Sequence, residues 1–128
     1  MPVEPNSPEA QRLPVDTTVI TQTLIRARAV LANSHPLPRP YEVAYLTGHL
    51  CGHIRLLLEE VKPVVDVMDH GTTGWDRMKT TYDGARSVLD SETTHGLTAA
   101  TVRLHELTRQ CGFLLDIVTS PQAVGDPR

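Results

Sequence analysis

Hydrophobic and polar positions along this chain recur with a helical period in four separate stretches, and nowhere with the period of two that marks a strand. The first pattern begins at Asp16, whose carboxylate suits an N-cap, with Val15 placed to staple onto the first turn. Its apolar stripe is Ile20, Leu24, Ala27 and Leu31. It ends near Asn33, ahead of the stiff connector Pro36-Leu37-Pro38-Arg39-Pro40. The second runs from about Pro40 to Asp69 on the stripe Val43, Leu46, Leu50, Ile54, Leu57, Val61, Val64 and Met68. Pro63 lies inside it, takes away the hydrogen bond to the carbonyl of Glu59 and predicts a kink there.

The segment from His70 to Gly74 reads as a turn in which Thr72 or Thr73 caps the third helix. That helix carries Trp75, Met78, Tyr82, Ala85 and Leu89 on one side. Its other side is polar, with Lys79 and Asp83, and Arg86 and Asp90, spaced for pairing. The fourth follows Gly96 on Leu97, Ala100, Leu104, Leu107, Cys111, Leu114 and Val118. Four amphipathic helices with short links predict an all-α protein, an antiparallel four-helix bundle over residues 15–119. Residues 1–14, with Pro2, Pro5, Pro8 and Pro14, read as a disordered or extended Pro-rich arm, and residues 120–128 as a flexible tail.

Composition narrows the function classes. A chain of 128 residues has room for one domain with a modest core. The net charge of -3, with only Lys62 and Lys79 beside scattered arginines, speaks against a nucleic-acid binder, which needs a clustered basic surface. No apolar run is long enough to span a bilayer and the N-terminal stretch does not read as a signal peptide, so a cytoplasmic protein without a membrane partner is expected. Cys51 and Cys111 are too few for a disulfide framework and read as buried thiols, Cys111 inert at the centre of its stripe.

Candidate chemistry concentrates in Gly48-His49-Leu50-Cys51-Gly52-His53, which repeats a Gly-His pair four residues apart. On a helix this stacks Gly48 over Gly52 and His49 over His53. The glycines fall nearly opposite the Leu50 stripe. Together they cost about 1–2 kcal/mol relative to alanine, which a close helix contact, within the bundle or from another chain, would offset. Drift or a local bend is the plainer account. Val102, Phe113 and Ile117 line the back of the fourth helix and suggest a second contact surface. These faces point to a homo-oligomer or a protein partner.

His49, His53 and Glu60 share one flank of the second helix. A His pair four apart can begin a zinc site, which His105 on the fourth helix could extend. The rest of a metal shell is missing from the pattern, so no metal and no cofactor are expected. His53 reads instead as a boundary histidine bonded to a carboxylate, Glu60 or one from another helix, and His49 as a surface residue. A ligand-binding or catalytic reading remains as the alternative. Leu56, Trp75 and Tyr82 would wall its pocket, and His53 would transfer a proton or hold a small molecule, oriented by Glu60 or His105.

Two segments carry a resemblance. Cys51 to Val65, CGHIRLLLEEVKPVV, and Thr101 to Val118, TVRLHELTRQCGFLLDIV, resemble a family of small helical proteins from GC-rich bacteria labelled "natural product biosynthesis protein". Trp75 and the ARSVLD of Ala85 to Asp90 fit the region between. In that family the apolar run often continues into a proline before Glu-Val. Here Glu59 stands at that place and the proline follows one turn later, at Pro63. The resemblance implies a helical protein linked to natural-product biosynthesis and brings no catalytic residue with it. The expectation is a non-catalytic, self-associating accessory or interaction protein.

Overall fold

The computed structural model describes residues 16–33, 37–91 and 96–119, and within them every regular element is a helix. These are α1 (Thr17–Asn33), α2 (Pro40–Val67), α3 (Thr73–Asp90) and α4 (Leu97–Thr119). The expected arm, the Val15 staple, Pro36 and the expected tail lie outside the described residues.

Helix ends follow the local chemistry. The Asp16 carboxylate accepts the amides of Thr18 and Val19 at 3.0 and 3.2 Å, satisfying two of the donors that begin α1. Pro40 opens α2 behind an extended Arg39, a position where its missing N–H costs nothing. Thr72 caps α3 by accepting the amide of Trp75 at 3.1 Å. Gly71 and Gly96 have φ of 91° and 108°, the left-handed region that turns the chain into α3 and α4. Pro63 does not end α2, which runs on to Val67, two residues short of the expected boundary. Both Pro63 and Glu59 are exposed, so the carbonyl of Glu59 can turn to water.

The most extensive pairing is α2 with α4; α1 and α3 each pack on both. The bundle is therefore a central pair with a helix laid along each side. Its core is sealed by Leu46, Leu50, Ile54 and Leu57 from α2 against Leu104, Leu107, Cys111 and Leu114 from α4. Ile20, Leu24 and Ala27 close it from α1, and Met78 and Ala85 from α3. A helix with neighbours on both flanks buries more than one stripe. Thr101, Thr108, Gln110, Gly112 and Leu115 of α4 are accordingly buried too. The two threonine hydroxyls donate to the carbonyls four residues back, at 2.8 and 2.7 Å, so neither goes unsatisfied.

The glycines reverse one expectation. Gly48 and Gly52 meet nothing within 4 Å of the place a Cβ would take, so no helix of the bundle packs closely on them. Gly48 borders a groove between α2 and α4, and Gly52 follows it one turn on. The closest approach is at Gly112, over which the Arg28 guanidinium lies 2.8 Å from a Cβ position; at Gly84 and Gly74 the Gln110 amide and the Met68 methyl follow at 3.4 Å. On the surface Lys79 pairs with Asp83 at 2.9 Å and Lys62 with Asp66 at 2.8 Å. Arg86 and Asp90 form no ion pair among the described residues; an exposed pair gains too little to fix two long side chains. No helix among these residues is long and apolar enough to cross a membrane.

Candidate functional site

His53 stands at the α1–α2 edge, and its partner is a hydroxyl rather than a carboxylate. Its Nε2 lies 3.1 Å from Thr23 Oγ1, thirty residues earlier in the chain. The Thr23 hydroxyl itself donates to the carbonyl of Val19 at 3.1 Å. A hydroxyl has one proton, so with that proton on Val19 the oxygen accepts and His53 Nε2 donates. Neutral His53 is then the Nε2–H tautomer, and its lone pair is on Nδ1. Burial, and next the neighbouring His49, hold the imidazole below the usual histidine range.

The remaining groups of this edge are aromatic and exposed. The His49 ring sits 4.4 Å from that of Tyr45 and 6.2 Å from that of His53, and the Arg26 guanidinium lies 5.3 Å over Tyr45. His49 is a surface residue, as its position predicts.

A depressed histidine pKa has a stability consequence with a definite sign. The unfolded chain takes up a proton at higher pH than folded His53, so the contribution is whole above about pH 6.5 and is lost as pH falls through the folded value. Urea unfolding at pH 7.5 and 5.5 is expected to show a smaller loss on acidification for His53→Gln than for the parent. Equal losses would mean that His53 titrates alike in both states.

The groups assigned to a catalytic or metal role are not brought together. Glu60 makes no hydrogen bond or ion pair among the described residues, and His53 reaches α1 instead because its flank faces Thr23. His105 lies across α1 from it, in a groove of about 460 Å³ between α1 and α4 with Arg28, Leu31 and Glu106. Among the described residues no three His, Cys, Asp or Glu side chains gather as a metal would require.

Leu56, Trp75 and Tyr82 wall none of the three grooves described here. Leu56 is 48% exposed, whereas Trp75 and Tyr82 are half-buried against the core, with the His70 ring stacked 4.4 Å from Trp75. Cys111 is fully buried, and desolvation pushes its thiol up to about 12, which removes it as a nucleophile at neutral pH.

The candidate contact residues divide into two faces. Gly48 and Gly52 belong to α2, Gly48 where it borders the groove to α4, and Val102 and Phe113 to the exposed side of α4. Ile117, expected on the second surface, is half-buried and packs against the core from the α3 side. That leaves Val102 at 63% and Phe113 at 45% exposure, the latter with Arg109 lying 5.9 Å over its ring. Arg109 also pairs with Glu106 at 2.7 Å, and this bond with that of Gln110 holds the Glu106 carboxyl below the usual range.

Pattern reading missed Arg103. From α4 its Nη2 donates to the carbonyls of Val88 and Leu89 at 3.2 and 3.5 Å, in the last turn of α3, where Val88 also accepts from the amide and hydroxyl of Ser91. Its Nη1 lies 3.9 Å from Cys51 Sγ, and its Nε is buried with no partner. Beside it a groove of about 660 Å³ opens between the N-terminal halves of α2 and α4, with Gly48 on its rim. The signal in the sequence was an arginine on the flank of an apolar stripe, which periodicity treats as boundary filler.

The model of one protein family, described as a family of unknown function (DUF6415), matches residues 21–122. The chain belongs to that family. No curated protein and no solved structure matches it. The match runs from early α1 of this DUF6415 member, through α2 and α3, past the end of α4.

Proposed function

We propose that the chain is a non-catalytic helical interaction protein that self-associates through the outer face of α2 and serves natural-product biosynthesis. The observation that carries the reading is the open glycine face. Gly48 and Gly52 weaken a long helix by about 1–2 kcal/mol, and no close contact among the described residues offsets that. Tyr41, Tyr45 and Leu56 stand exposed around them, three large side chains on one helix that the core does not use. A small-residue strip bordered by aromatic and aliphatic side chains lets a second helix approach closely and bury them. Val102 and Phe113 lie on α4, outside this strip, and would serve a different partner. The biosynthetic assignment rests on the resemblance of the segments Cys51–Val65 and Thr101–Val118.

Sedimentation velocity tests the self-association. The protein is expected to sediment as a dimer at micromolar concentration, and Gly52→Leu, for which there is open space in the monomer, is expected to weaken the dimer by about tenfold or more. A strict monomer indifferent to Gly52→Leu would overturn the reading. For the biosynthetic role, deleting the gene in its host is expected to alter the profile of secreted small molecules; an unchanged profile counts against it.

A further inference from the structure

The three grooves differ in charge. The one beside His105 holds its own carboxylate, Glu106, already paired with Arg109, and the one beside Phe113 holds Asp116. The groove between α2 and α4 is walled by Val43, Ala44, Leu97 and Ala100, and its charged member is Arg103; no carboxylate lines it among the described residues.

Arg103 is half-buried and makes no ion pair there. A guanidinium has five N–H donors. Two contacts go to α3 carbonyls and one, a long one, to the Cys51 sulfur, while Nε has none. A cation withdrawn from water without a counter-ion, with a buried donor unmet, is costly unless an anion completes it. From Pro40 to Gly48 the groove follows about 12 Å of helix axis, the reach of an extended acyl chain of about ten carbons. Gly48, with nothing within 4 Å of a Cβ position, keeps that path open.

We infer that this groove binds an amphipathic monocarboxylate, its acyl chain along Val43, Ala44, Leu97 and Ala100 and its carboxylate on Arg103. The site goes beyond the self-association reading and shares Gly48 with it, so the two are told apart at Gly52, which does not line the groove. Bidentate or single, an Arg–carboxylate bond in a half-buried setting is among the stronger polar contacts a small ligand can make. The apolar walls supply the rest through burial of methylene groups.

Sodium decanoate, below its micellar range, is the probe. In two-dimensional amide spectra it is expected to shift Ala44, Gly48, Ala100 and the Arg103 Nε–H, with saturation. Decanol, equal in length and uncharged, is expected to bind about tenfold more weakly or worse. Gly48→Leu puts a side chain into the open path, where its Cβ meets nothing within 4 Å, and is expected to cost decanoate about tenfold. Arg103→Gln is expected to abolish the preference for decanoate over decanol. Should loss of the bonds to α3 unfold that variant, the decanol comparison and Gly48→Leu still decide. Gly52→Leu lies outside the groove and is expected to leave decanoate binding unchanged, whatever it does to sedimentation. Shifts centred elsewhere, equal binding of decanol, or a Gly48→Leu protein that binds as the parent does would each overturn the site.

Discussion

Leu50→Ala is expected to destabilise the protein by about 3 kcal/mol, read as a lower urea midpoint at unchanged slope. Leu50 is fully buried at the centre of the α2–α4 pair, so truncation both loses the burial of its branched end and leaves a void between two helices fixed by long, close packing. Leu56, six residues on in the same helix, makes the comparison exact in chemistry and opposite in setting. It is 48% exposed, and Leu56→Ala is expected to change monomer stability by no more than about 0.5 kcal/mol. A large cost at Leu56 measured at high protein concentration, vanishing on dilution, would show it buried by a second copy. A cost at Leu50 below about 1 kcal/mol would mean that the central pair is not packed as described.

Pro63→Ala is the largest expected gain. Proline in a helix interior is about 3 kcal/mol worse than alanine, because it removes one backbone bond and crowds the carbonyl four residues back. Its restriction of the unfolded chain returns a part of that, so a net stabilisation of about 2 kcal/mol is expected. Two features favour the gain being realised. The helix is continuous through Pro63 and continues to Val67, so alanine meets a backbone that is already helical. Both Pro63 and Glu59 are exposed, so the new side chain displaces no packing. Thermal unfolding checks it: a midpoint unchanged or lowered would mean that Pro63 helps to hold Val64, Val65 and Met68 against the core, and that replacing it pulls them away.

How far the sequence could be read depended on how local each feature is. The caps at Asp16 and Thr72 were legible because a side chain bonds amides two or three residues ahead. The four stripes were legible because one covered face imposes a helical period. The extra burial of Thr108, Gln110 and Gly112 was not, since α4 lies between two flanking helices and a helix covered on several sides loses its period. The candidate site fared worse. Thr23 accepting from His53 and Arg103 reaching the end of α3 join residues on different helices, and no spacing along one helix announces them.

The sequence by itself determined four helices, their approximate ends and the side each turns to the core, because periodicity, capping and proline act within one or two turns. Tertiary structure alone decided which flank meets which neighbour. It left Gly48 and Gly52 open and covered Gly112 with Arg28, although all three are glycines within helices. It put His53 beside a hydroxyl, His105 across α1 from it, and, beside an apolar groove, a cation with no counter-ion among the described residues. The physical reason is the same in each case. A side chain's chemistry depends on what lies within a few ångströms of it, and in a bundle those atoms come from helices far away along the chain.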